Sequence, residues 1–121
     1  DCDNNFKKVD NIVNSIYLDW STAKKIAEDK NIKFIPILQP TIFFGKAQIE
    51  HLNKSLKRED LRVQFESVYP KLVAKLESEN FEYLNLLNIF DDNNIYYIDF
   101  MHFSPNGNKK IVNLISNLFI K

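Results

Sequence analysis

The 121 residues carry 16 Lys plus Arg against 16 Asp plus Glu, for a net charge of +0, and 45% of them are hydrophobic. A chain of that length holds one small domain with an ordinary globular composition. The balanced charge argues against nucleic acid or an anionic membrane as the main partner, and no apolar run approaches the roughly 20 residues of a membrane span. The one cysteine, Cys2, excludes an internal disulfide and says little about compartment. The chain starts at Asp1 and not at Met, with no signal peptide visible, so an upstream part is expected.

From Phe6 the apolar residues Phe6, Val9, Val13, Ile16, Trp20, Ala23 and Ala27 recur at steps of three and four. This spacing predicts one long amphipathic helix over 6–28, with Trp20 on its core face. Asp29-Lys30-Asn31 ends it. Ile32 to Leu38 is a near-continuous apolar run and reads as a buried strand of a parallel sheet. Pro36 conflicts with that reading, because proline cannot donate to a sheet ladder. Gln39-Pro40-Thr41 would then leave the strand at its C-terminal end, where open α/β sheets bind ligands.

Ile42-Phe43-Phe44 is an apolar patch on an expected loop. It reads as a satellite core; the functional alternatives are an acyl-binding wall, a lid or a partner contact. His51, among Glu50, Asn53 and Lys54, reads as a solvated residue. The two histidines and one cysteine lie far apart without metal-ligand spacing, so no metal site is expected.

Arg58 to Asn80 carries Leu61, Phe65, Val68, Leu72 and Leu76 on one face and predicts a second helix, kinked or split at Pro70. Phe81 to Leu87 alternates like a second strand. Asp91-Asp92-Asn93-Asn94 is a turn by composition, without the spacing of a calcium loop. Ile95 to Ile98 is an extended apolar run.

The chemistry-bearing stretch follows at once. In Tyr97-Ile98-Asp99-Phe100-Met101-His102-Phe103-Ser104-Pro105-Asn106-Gly107, an acid stands three residues before a histidine. Ser104 suits a helix N-cap and Pro105 the first helical position. Ile111, Leu114, Ile115 and Leu118 then recur at helical spacing. Asp99 and His102 therefore sit on a short loop between an extended run and a docked helix. A carboxylate beside an imidazole can fix its tautomer and stabilise the imidazolium, as a general base requires.

Asp-x-x-His, a helix cap, a glycine and an apolar C-terminal helix together resemble the last conserved block of the SGNH (GDSL-type) hydrolases. The resemblance implies that Asp99 and His102 are two members of a Ser-His-Asp triad. It also implies a three-layer, flavodoxin-like α/β fold with a parallel sheet, of which residues 1–121 would form the C-terminal portion as a single unit with few strands. The element order of helix, strand, helix, strand, helix agrees with that class.

Three elements of the family are missing: the Gly-Asp-Ser nucleophile block, a second glycine block and a Gly-x-Asn-Asp block. The only glycines are Gly45 and Gly107. A base and its orienting acid without a nucleophile or oxyanion donors give little catalysis. The expectation is thus the acid-base half of a serine esterase, nearly inert alone. The resemblance implies small acyl esters or O-acylated carbohydrates or lipids as substrates and no cofactor. With few strands, the chain is expected to need the missing N-terminal half or a self-association partner. The rival expectation is a non-catalytic, flavodoxin-like interaction module in which Asp99 and His102 are structural and Ile42-Phe43-Phe44 binds a protein.

Overall fold

The computed structural model describes residues 2–119. They fall into two compact units, each made of two stretches of chain: residues 2–38 with 60–84, and residues 39–59 with 85–119.

In the first unit, helix α1 (Phe6–Glu28) has the bounds its periodicity predicts. The Asn5 side chain caps it by accepting the Lys8 N–H at 3.0 Å. At its other end Asn31 takes a positive φ of 56°, and the Ile32 N–H reaches back to the Ala27 carbonyl at 2.9 Å. This left-handed cap satisfies carbonyls that the helix leaves over. The helix of 62–78 ends the same way: Asn80 has φ 49°, and the Phe81 N–H reaches the Leu76 carbonyl at 2.9 Å. These two helices pack on each other and bury Val9, Val13, Val68, Leu72 and Leu76. Lys71 bonds Asp10 at 2.7 Å on the rim. Trp20 is half-buried.

Strand β1 is only Ile37–Leu38, against the expected run of 32–38. Strand β2 is only Leu84–Asn85. They pair as a two-stranded parallel sheet, beginning where the Leu84 N–H donates to the Pro36 carbonyl at 2.9 Å. The described residues are mostly helical (52%) with two short strands, so the expected three-layer, flavodoxin-like α/β sheet is not what forms. The physical reason lies in pairing. An apolar run becomes a strand only where a neighbour supplies a ladder, and Pro36 has no N–H to offer one. The third extended run, Ile95 to Ile98, does not join a sheet either. It folds back on itself, with Tyr97 bridging Phe103 antiparallel.

The second unit begins at Gln39. Thr41, Ile42 and Phe43 are buried, the last two only 7% and 6% exposed, so this stretch is core and not an exposed patch. Helix α2 is the single turn Lys54–Lys57, capped by the Asn53 side chain on the Leu56 N–H at 3.0 Å. Arg58 closes it in the left-handed region, with φ 46°. That conformation, rare for a residue with a Cβ, stops the helix expected from Arg58. After a 3-10 turn at Glu59–Leu61, helix α3 (Arg62–Ser78) starts four residues late and belongs to the first unit. It runs unbroken through Pro70, whose ring faces solvent.

Rings fill the core of the second unit. Phe90 stacks on Tyr96 at 4.7 Å and meets Tyr97 and Phe103 edge-on at 5.2 and 5.1 Å. Helix α4 (Pro105–Phe119) seats its first turn on this cluster at Gly107. A Cβ added there would stand 2.9 Å from the Phe103 Cβ and 3.4 Å from both the Phe90 Cζ and the Tyr96 Cβ. Asp92 ties the turn of 91–94 to the same helix. Its carboxylate takes the Lys110 ammonium at 2.5 Å, the Asn94 N–H at 2.7 Å and the Tyr96 hydroxyl at 2.9 Å. Among the described residues, no helix is long and apolar enough to cross a membrane.

Candidate active site

Asp99 and His102 stand on the hairpin made by the folded-back run. Its stem is closed by the Ile98 N–H on the His102 carbonyl at 2.9 Å and the Ser104 N–H on the Tyr96 carbonyl at 2.7 Å. Its exit is set by α4, where the Ser104 hydroxyl accepts the Gly107 N–H at 3.3 Å and the Ser104 carbonyl accepts the Asn108 N–H at 3.0 Å. Pro105 opens the helix, as its fixed φ and absent N–H favour.

At the tip, His102 Nδ1 lies 2.7 Å from Asp99 Oδ2. The other oxygen, Oδ1, accepts the Met101 N–H at 2.9 Å and the His102 N–H at 2.8 Å. Partial burial pushes the Asp99 carboxyl up. The Met101 N–H, the His102 imidazole and the His102 N–H outweigh it and hold the carboxyl below its ordinary range. An ionised carboxylate accepts only, so Nδ1 must carry the proton it donates. In the neutral imidazole that leaves the lone pair on Nε2. The His102 side chain is 64% exposed against 26% for Asp99, so solvent reaches the imidazole more readily than the carboxylate behind it. A base with a held tautomer and an accessible second nitrogen can take a proton from a hydroxyl and return it to a leaving group.

Neither residue lines the cavity of about 570 Å³ in this unit, which lies along Asn94, Tyr96, Asn106, Lys109, Lys110 and Asn113. Four of the serine hydroxyls are engaged elsewhere. Ser104 caps α4, Ser55 bonds the Asn53 side chain, and Ser21 and Ser78 bond carbonyls of their own helices. Among the described residues, no three His, Cys, Asp or Glu side chains group as metal ligands.

Three contacts to the hairpin escaped the sequence. His51, read as a solvated residue, places Nε2 2.7 Å from the Tyr97 carbonyl. The Ile42 N–H donates to the Phe100 carbonyl at 3.1 Å, and the Gln39 side-chain amide to the Met101 carbonyl at 2.9 Å. Sequence separations of 46 and 62 leave no periodic signal for the two side-chain contacts. Comparison of the chain with protein-family models, characterised proteins and solved structures gives no match.

Proposed function

We propose that this chain supplies the acid-base pair of an SGNH-type serine esterase or acyl-transfer enzyme. His102 is the base and acid, and Asp99 orients it. The observation that carries this reading is the 2.7 Å bond from His102 Nδ1 to an Asp99 carboxylate whose other oxygen is already held by two backbone N–H groups.

In the reaction, Nε2 takes the proton of a serine hydroxyl as its oxygen bonds to the ester carbonyl carbon. The resulting imidazolium, stabilised by Asp99, gives that proton to the departing alcohol as the carbon–oxygen bond breaks. Water or a second alcohol then repeats the sequence on the acyl-serine. The serine and the oxyanion donors are to come from another polypeptide segment, which would also build a groove beside His102. The substrates would be small acyl esters or O-acylated carbohydrates or lipids.

The test is hydrolysis of p-nitrophenyl acetate by the chain alone and by the longest polypeptide its reading frame encodes. The chain alone should stay near background. The longer polypeptide should turn over, and His102→Ala and Asp99→Asn should each cost about 10³–10⁴ in rate. An inactive longer polypeptide, or one indifferent to His102→Ala, would overturn the proposal.

A further inference from the structure

The three contacts that reach the hairpin from residues 39–51 share one geometry. A peptide unit is planar, so holding its oxygen also aims its N–H. The Met101 carbonyl and the His102 N–H belong to one such plane. Gln39 donates to its oxygen at 2.9 Å, and its N–H points at Asp99 Oδ1 at 2.8 Å. The Phe100 carbonyl and the Met101 N–H form the next plane back. Ile42 donates to that oxygen at 3.1 Å, and that N–H meets the same Oδ1 at 2.9 Å. The Tyr97 carbonyl and the Ile98 N–H form a third. His51 holds its oxygen at 2.7 Å, and its N–H closes on the His102 carbonyl at 2.9 Å.

Each plane therefore carries a donor from 39–51 on one side and a group of Asp99 or His102 on the other. A carbonyl that accepts a hydrogen bond also polarises its own peptide and makes the N–H across it a stronger donor. The tautomer of His51 follows from the same rule that fixed His102. A carbonyl only accepts, so His51 must present Nε2–H.

We propose that Gln39 and His51 are positioning residues for the Asp99–His102 pair, each acting through one peptide plane and neither touching substrate. This rests on the acid-base reading above, and the test separates the two. The full chain, labelled with ¹⁵N, reports the His102 tautomer directly through its ring-nitrogen shifts, without any turnover. Gln39→Met keeps length and loses the donor. His51→Gln puts an amide at the reach of the imidazole Nε2, whereas His51→Asn stops short at the reach of Nδ1.

The ratio of Nδ1–H to Nε2–H on His102 should fall roughly fivefold in Gln39→Met and His51→Asn, the worth of one ordinary hydrogen bond, and return in His51→Gln. The Gly107 amide shift, set by the aromatic core, reports that the fold is intact in each. Should Gln39→Met lose that signal, the two His51 variants decide. A wild-type ratio in both His51→Asn and Gln39→Met on an intact fold overturns the brace and leaves the acid-base pair standing. A wild-type chain without excess Nδ1–H overturns both.

Discussion

Gly107→Ala sets two opposing effects against each other at one atom. Alanine in place of glycine inside a helix is worth about 0.5–1 kcal/mol in favour of folding. Here the new Cβ arrives 2.9 Å from the Phe103 Cβ, closer than such carbons come, and 3.4 Å from two more core atoms. The Phe103 Cβ sits at the root of its side chain, so relief requires backbone movement. Overpacking of this kind typically costs about 1–3 kcal/mol. The cost exceeds the gain, and the variant should be less stable by about 1 kcal/mol. The displaced residue is the one that follows His102, so the hairpin signals should move as well. The assay is urea unfolding followed by far-ultraviolet circular dichroism, with Asn113→Ala as the control, since that exposed α4 position tests propensity without crowding. A Gly107→Ala protein at least as stable as wild type, with unshifted His102 and Phe103 resonances, would refute the argument that α4 docks by close contact here.

Other outcomes follow from the same structure. Ser104→Ala should lose about 1 kcal/mol in a thermal or urea titration, because the Gly107 N–H loses its acceptor. The Asp99 carboxyl is lowered on folding, so its contribution to stability is complete above the ordinary carboxylate range and disappears as pH falls through the lower folded value. The step in the Asp99 carboxyl ¹³C shift that marks its own protonation should fall below the ordinary carboxylate range; a step at or above that range, about 3.9, would contradict the bonding described. Asp92 is held down more strongly, chiefly by the Lys110 ammonium, and Lys110 is raised in return despite burial that opposes its charge. That pair should stabilise the chain between the two titrations and lose its effect as pH falls through the Asp92 value or rises through that of Lys110. A carboxyl ¹³C titration of Asp92 near the ordinary value would count against it.

The parts of this molecule written in local sequence were legible. The spacing from Phe6 to Ala27 carries the bounds of α1, and Ser104-Pro105 carries the start of α4. The proximity of Asp99 and His102 is legible for the same reason, since three residues of a tight hairpin bring them together. Strands were not, because Ile32 to Leu38 has the composition of a strand whether or not a partner arrives. The same apolar character at Ile95 to Ile98 served a hairpin instead. Arg58 also broke a helical pattern that its side chain gives no reason to break. The contacts of Gln39 and His51 depend on how two distant stretches meet, and single residues carry no trace of that.

The difference in sequence separation has a further consequence, for the order in which this site comes apart. The Asp99–His102 bond spans three residues, whereas the Gln39 bond to the Met101 carbonyl spans 62. Chain-closure entropy scales with the logarithm of that span, so the distant contact starts about 2–3 kcal/mol behind the local one. Mild warming or dilute urea should therefore open the Gln39 bond to the Met101 carbonyl while Asp99 still grips its imidazole. The molecule would then keep the contact between Asp99 and His102 and lose the frame that biases its tautomer.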